Sequence, residues 1–112
     1  MKLITRAFVT IRSGTAVSDP LILDGLTPAV LEMSAAWTAA DLTFAGSGDG
    51  ANWYFIYKEE GTLLQIPTNA SHRIVLPASY LQEHKSIEIC SGTPAVPINQ
   101  GADRIIFLEL WE

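Results

Sequence analysis

Turn-forming residues cut this chain into short apolar segments, at intervals of roughly 8 to 12 residues. Examples are Ser18-Asp19-Pro20, Asp24-Gly25 and the long stretch of residues 92–101. Short apolar segments separated by turn signals at this spacing are typical of β-strands. About eight of them are present, so the chain is predicted to be an all-β, antiparallel sandwich of jelly-roll type. With 112 residues it is expected to form a single domain, residues 1–112.

The stretch of residues 36–57 shows this punctuation most clearly and is predicted to be a β-hairpin. In its first arm, Leu42 and Phe44 alternate with polar residues, a pattern typical of a strand with one buried face. Residues 46–50 follow and are rich in glycine, which can adopt the positive φ that a tight turn needs.

The second arm, residues 53–57, does not alternate but is a run of consecutive aromatic and apolar residues. Such a run is typical of a strand that is covered on both faces. Trp53, Phe55 and Tyr57 are therefore predicted to form an aromatic strand in the core.

Both ends of the chain are also predicted to be strands. Residues 1–11 have apolar side chains on both faces, so we expect this segment to act as a docking strand for a neighbour. The apolar run within residues 104–111 predicts a strand inside a sheet. Residues 28–40 contain good helix formers and leave a helix open as an alternative there. Residues 77–85 are predicted to be a loop with one helical turn.

The balance of charges narrows the range of partners. Seven Lys and Arg against twelve Asp and Glu give a net charge of −5 without a basic stripe, which argues against nucleic-acid binding. Arg6 and Arg12 interrupt the apolar N-terminal residues, so we expect no signal peptide, no membrane contact and a soluble protein. Cys90 is the single cysteine, which excludes an internal disulfide, and we expect an unreactive thiol facing outward from its strand.

Residues that could support catalysis or metal binding are few and scattered. His72 and His84 each lie beside a turn, with no third ligand at a spacing that suits zinc. The adjacent Glu59 and Glu60 would point apart on an extended turn, which argues against a general acid–base pair. Asp49 lies in a glycine-rich loop that lacks the series of acidic ligands of a calcium site. We therefore expect no enzymatic activity, no bound metal and no cofactor.

Three aromatic residues outside the predicted core strand are candidates for contacts at the surface. Trp37, Tyr80 and Trp111 could stack on a sugar ring or contact another subunit. Aromatic side chains that remain outside a small core are enriched at protein interfaces. Both roles, interface contact and glycan contact, stay open at this point.

Two motifs add a resemblance to a known group of proteins. The first is AWTAADLTF followed by SGDG, at residues 36–44 and 47–50. The second is SGT, PINQ and ADRII, at residues 91–93, 97–100 and 102–106. In this order they resemble the patterns AWTxAxLTFxxSxDG and SGTxxxPVNQxADR of small tailed-phage and prophage virion proteins. Ile98 stands where that pattern usually has valine, a change between two β-branched residues.

This resemblance implies a structural protein of the virion, with neither enzymatic activity nor a cofactor. A capsid decoration or cement protein, or the capsid-bound base of a head fibre, is the expected role. The expected partners are the major capsid protein or other virion proteins, and the expected state is a homo-oligomer, a trimer being the simplest. Such a protein would be made in the host cytoplasm and located in the virion.

A second resemblance covers only the middle of the chain. The pattern Ser-x-Asp-Gly before an aromatic strand is similar to part of a discoidin-like jelly roll, a fold that binds sugars or lipids in other settings. It implies an alternative function, a glycan-binding adsorption module of a phage tail or fibre that recognises the host surface.

Overall fold

The computed structural model describes residues 1–112 and contains nine strands and one short helix. In chain order the elements are β1 (Leu3–Ile11), β2 (Leu21–Ile22), β3 (Thr27–Glu32), β4 (Leu42–Ser47), β5 (Tyr54–Phe55), β6 (Gln65–Ile66), β7 (Arg73–Val75), α1 (Ala78–Leu81), β8 (Ser86–Ser91) and β9 (Arg104–Trp111). All strand pairs are antiparallel and form two sheets. The predicted all-β antiparallel sandwich is thereby confirmed.

Strands that follow one another in sequence mostly lie in different sheets. The first sheet has the order β1-β9-β3-β7, and the second has the order β2-β8-β4-β5, with β6 also paired to β4. Most connections between successive strands therefore carry the chain across the sandwich, whereas β4, β5 and β6 follow one another within the second sheet. This alternation is compatible with the jelly-roll type, which remains the finer prediction.

One apolar core fills the space between the two sheets. It contains seventeen buried side chains from strands of both sheets, from α1 and from the segments between these elements. Because interiors of this kind are close-packed, the largest buried side chains determine how the sheets fit together. The fully buried ones are Val9, Ile11, Leu23, Leu31, Leu42, Phe44, Leu81, Ile87, Ile89, Ile106 and Leu108.

β4 is buried along its whole length, which corrects the prediction of a single buried face. Leu42 and Phe44 face the core as expected. Thr43 and Ala45 belong to the opposite face and are buried as well. The reason is position, since β8 flanks β4 on one side while β5 and β6 flank it on the other, and short side chains between such neighbours lose contact with solvent.

The predicted core aromatic strand is wrong. Only two residues of this stretch, Tyr54 and Phe55, form a strand, and that strand lies at the edge of the second sheet. Trp53 and Phe55 are half-buried, and the Tyr57 side chain is 55% exposed. Ile56 alone is buried in the core. A short edge strand has one hydrogen-bonded neighbour, so a run of large rings there cannot all reach the interior.

The structure contradicts one of the remaining predictions, confirms another and partly confirms a third. The helix left open for residues 28–40 does not form, because β3 occupies its start and pairs with both β7 and β9. The helical turn expected in residues 77–85 is α1. Cys90 lies on the strand face opposite the core, as predicted, but it is buried rather than outward in solvent.

Two glycines are required by close approaches of other groups. A Cβ on Gly46 would lie 2.5 Å from Nδ1 of His84, whose ring packs over the β4 backbone. His84 is fixed further because its Nε2 lies 3.1 Å from the carbonyl oxygen of Tyr80. Gly92 has a φ of +83°, and a Cβ there would lie 2.5 Å from the carbonyl oxygen of Val96. Gly46 therefore makes room for the His84 ring within β4, and Gly92 allows a tight turn after β8.

Candidate interaction surface

The two motifs that carry the virion-protein resemblance meet at Gln100, which is 1% exposed. Its Oε1 accepts hydrogen bonds from the backbone N–H of Thr38 at 2.9 Å and from Nε of Arg104 at 3.2 Å. Its Nε2 donates to the Thr38 carbonyl at 3.0 Å and to Oγ of Ser91 at 2.7 Å. The side-chain amide thus joins the two motifs across 62 residues of sequence.

The backbone around Gln100 ties in a third segment, the turn after β1. The N–H of Gln100 donates to the Thr15 carbonyl at 2.9 Å, and its carbonyl accepts from the N–H of Gly14 at 2.8 Å. Asp103 accepts from the N–H of Ser13 at 2.8 Å. In these contacts the polar groups of the motif form hydrogen bonds within the chain, so the motif residues stabilise loops. We call this set of contacts the Gln100 clasp.

The three aromatic residues predicted as surface contacts are all half-buried. Trp37 and Tyr80 pack against the core cluster, and Nε1 of Trp37 donates to the Ala40 carbonyl at 3.1 Å. Trp111 lies at the end of β9, and its Nε1 is buried without a hydrogen-bond partner. Much of each ring is therefore occupied by the chain itself, and their role as interface or glycan contacts stays a prediction.

The first sheet presents an open outer face, on the side away from the core. In the middle of this face Phe8 of β1 lies opposite Phe107 of β9, with ring centroids 6.0 Å apart and planes tilted by 57°. Ile105 extends the apolar area along β9. All three side chains are exposed, and we call them the apolar patch. Exposed apolar side chains grouped in this way are typical of interaction sites.

A network of four charged side chains crosses the same face beside the apolar patch. Arg73 binds both carboxylate oxygens of Glu109, at 2.9 and 3.1 Å, and also binds Glu32 at 2.9 Å. Arg6 pairs with Glu32, and its guanidinium lies 4.4 Å from the centroid of the Phe107 ring. Two cations and two anions make the network neutral.

Titration of the network follows from these contacts. Hydrogen bonds from Arg6 and Arg73 hold the pKa of Glu32 below its usual value. Hydrogen bonds from Arg73 lower the pKa of Glu109 in the same way. The carboxylates raise the pKa of Arg73 in return. Glu32, Glu109 and Arg73 are therefore charged at neutral pH.

An open depression of about 360 Å³ lies at one side of this network. Its acid, Glu32, is already bound by two arginines, and His72 lies on its rim. No group of three or more His, Cys, Asp and Glu side chains converges anywhere in the molecule. The residues that line the depression are Arg6, Glu32, Met33, Ala35, Ser71, His72, Arg73 and Phe107.

Asp49 and Cys90 also have shifted pKa values, and in each case the cause lies in the immediate surroundings of the side chain. The Asp49 carboxylate accepts hydrogen bonds from the N–H groups of Asn52 and Ala51, from Nδ2 of Asn52 and from the hydroxyl of Ser47, which together lower its pKa. Its oxygens are thus used to close the turn between β4 and β5. Burial, reinforced by Glu88, raises the pKa of the Cys90 thiol to about 12, which leaves it protonated and unreactive.

β1 is an edge strand of the first sheet and not a free arm. Val9 and Ile11 are part of the core, so residues 1–11 belong to the fold. On the open side of β1, the Thr10 carbonyl accepts a bond from the N–H of Asp19. No backbone hydrogen bond reaches that side between residues 3 and 9. The expectation that residues 1–11 dock onto a neighbour stays a prediction. The docking element would be the free edge of β1 and not a separate arm.

The outer face was missed in the sequence because its residues come from four strands. A signal was present, since Phe8 and Phe107 break the expected alternation of apolar and polar residues in β1 and β9. The helix of this fold, α1, is too short to cross a membrane. No protein-family model matches this chain, and no curated protein matches it significantly.

Proposed function

We propose that this protein is a structural component of a tailed-phage virion, as a capsid decoration or cement protein or as the capsid-bound base of a head fibre. The observation that carries the proposal is the open outer face of the first sheet, where the apolar patch lies beside a neutral charge network. The two signature motifs support it, because the Gln100 clasp gives them a purely architectural role. The proposed partner is the major capsid protein or another virion protein.

The composition of the outer face suits attachment to a protein. Aromatic residues and arginine are the side chains most enriched at the energetic centres of interfaces, and here Phe8, Phe107 and Arg6 are in contact. Glu32 and Glu109 keep both arginines paired, so covering this face leaves no isolated charge without water. A virion presents many copies of each partner, which strengthens attachment even when a single contact is weak.

Binding to particles tests this role. Purified protein is mixed with heads that lack it, and occupancy is measured after sedimentation. Ile105→Glu places a charge in the apolar patch on the central strand β9 and should reduce occupancy at least about tenfold. Ile22→Glu is the matched control, since Ile22 is exposed on β2 of the other sheet and should retain parental occupancy.

Two results would contradict the proposal. Failure of the parent protein to bind heads would remove the virion role. Parental occupancy by Ile105→Glu would show that the outer face is not the docking surface. Deletion of residues 1–11 is a poor test, because it removes Val9 and Ile11 from the core and would unfold the protein.

A glycan-binding adsorption module is the second candidate, and the depression beside the charge network is the observation that favours it. Planar polar side chains next to an exposed ring, here Arg73 and Glu32 next to Phe107, are a common arrangement for sugar hydroxyls and a sugar ring. A glycan array probed with the parent and with Phe107→Ala tests this function. Signal from the parent that Phe107→Ala lacks would support it, and background signal from both on every glycan would remove it.

A further inference from the structure

The open side of β1 has a regular pattern of unpaired backbone groups. In an antiparallel ladder, the N–H and C=O of one residue point to the same side, and successive residues alternate. Because the Thr10 carbonyl binds Asp19 on the side away from β9, Phe8 and Arg6 also direct their N–H and C=O groups to that side. These groups have no partner in the chain.

This edge is neither short nor interrupted by proline, two features that protect sheet edges from pairing. β1 is the longest strand, with nine residues, and contains no proline. Its one irregularity lies between Leu3 and Thr5, so residues 5–9 remain regular. The other edge of the same sheet, β7, has only three residues. A long regular edge of this kind is a template for another strand.

The charges near β1 indicate which strand can pair with its free edge. The chain has a net charge of −5, but residues 1–18 contain Lys2, Arg6 and Arg12 and no acidic residue. The acids nearest the middle of β1, Glu32 and Glu109, are already paired with arginines. Arg6 is paired with Glu32 and Arg12 with Asp19, so two copies can meet along β1 without bringing unpaired arginines or unpaired carboxylates together.

A two-fold axis makes this edge complementary to itself. Antiparallel pairing of β1 with β1 of a second copy is isologous, since each copy gives and receives the same hydrogen bonds. Two registers match the outward-facing groups, one centred on Arg6 and one centred on Ala7. The register centred on Arg6 places the two Arg6 side chains directly opposite each other, which is unfavourable. The register centred on Ala7 instead places Phe8 opposite Arg6 of the second copy, a favourable neighbour for an exposed ring.

We propose that two copies of this chain form a dimer in which their β1 edges pair antiparallel and join the two first sheets into one eight-stranded sheet. The dimer does not depend on the virion role proposed above. It leaves both apolar patches exposed on the same side of the joined sheet. A dimer of this type replaces the trimer expected from the resemblance, because a closed trimer cannot be built from two-fold contacts alone.

Hydrogen exchange on the unmodified protein tests the pairing directly. The amides of Arg6 and Phe8 should exchange at least about tenfold more slowly at concentrations where light scattering reports a dimer than after dilution to monomer. The amides of Ala7 and Val9, which bond to β9, should be protected in both states. A monomer or a trimer at high concentration, or a dimer in which Arg6 and Phe8 exchange like loop amides, would overturn the proposal.

A matched pair of proline variants gives an independent test. Phe8→Pro removes an outward N–H from β1, at a side chain 60% exposed, and should yield a folded monomer. Val75→Pro is the control on β7, at a side chain 81% exposed. Val75 also directs its N–H away from the sheet, because Leu76 and His72 make the bonds to β3. This variant should remain dimeric, whereas a dimeric, folded Phe8→Pro would exclude β1 as the contact.

The head-binding assay separates this proposal from the virion role. Ile105→Glu lies on the central strand and should leave the dimer intact while it reduces binding to heads. A dimer that does not bind heads would contradict the virion role alone, and a monomer that binds heads would contradict the dimer alone.

Discussion

Replacement of Gln100 by alanine should destabilise the fold, because it removes the side chain at the centre of the Gln100 clasp. Four side-chain hydrogen bonds are lost, two to the backbone of Thr38, one to Ser91 and one from Arg104. Each is worth about 1 kcal/mol net, and the hydroxyl of Ser91 is left buried without a partner. Water can reach the half-buried Thr38 and Arg104 and replace part of the loss. We expect a decrease in the free energy of unfolding of about 3 kcal/mol.

Urea unfolding followed by tryptophan fluorescence measures this loss. For a domain of this size, about 3 kcal/mol corresponds to a midpoint lower by about 2 M urea. Gln82→Ala is the control, since Gln82 is exposed and should change stability by less than about 0.5 kcal/mol. A midpoint for Gln100→Ala within about 0.5 M of the parent would refute the reasoning, because the clasp would then contribute little.

A second variant at the same site checks that hydrogen bonding, and not volume, is responsible. Gln100→Glu preserves the shape but, when ionised, cannot donate to the Thr38 carbonyl. In Gln100→Glu a carboxylate oxygen would face the Thr38 carbonyl, so that one acceptor lies against another, although Arg104 stays close to the other oxygen. Gln100→Glu should therefore be less stable than the parent in urea unfolding at neutral pH, and parental stability would contradict the role of the donor.

Further predictions concern the edge strand, the thiol and the charge network. Phe44→Ala should cost about 3 to 5 kcal/mol in urea unfolding because the ring is fully buried, whereas Trp53→Ala should cost less than half as much; equal losses would contradict the edge position of β5. Cys90, with a pKa raised to about 12, should react with a thiol reagent at neutral pH only after unfolding, and rapid native labelling would show that it is accessible. Arg73 lowers the pKa of Glu109 below 4.5, so the pair stabilises the fold above that pH and less as pH falls. The stability lost by Arg73→Met should accordingly shrink in acid, and a constant loss would refute the pairing.

Much of the fold could be predicted because turn residues act locally. Glycine, proline and aspartate mark the ends of strands wherever they occur, so the sandwich class and the helical turn at Ala78–Leu81 followed from the sequence. The signature motifs could also be found in the sequence, although their meeting at Gln100 could not. That contact spans 62 residues and depends on how the loops cross.

Burial of individual strands could not be predicted, because it depends on position within a sheet. The two arms of the predicted hairpin show this. The alternating arm is β4, a buried strand inside the second sheet, whereas the aromatic arm contributes β5, a short strand at the edge of that sheet. The alternation of Leu42 and Phe44 indicated which side chains face the core but not what covers the opposite face.

The sequence by itself determined where the chain turns and which apolar side chains can alternate toward a core. Only the tertiary structure decided which strands are central, which edge is left unpaired and which charges meet. Arg6 and Glu109 stand at opposite ends of the chain and lie on one face because β1 pairs with β9. The candidate interaction surface arises from such non-local pairing, which no local pattern encodes.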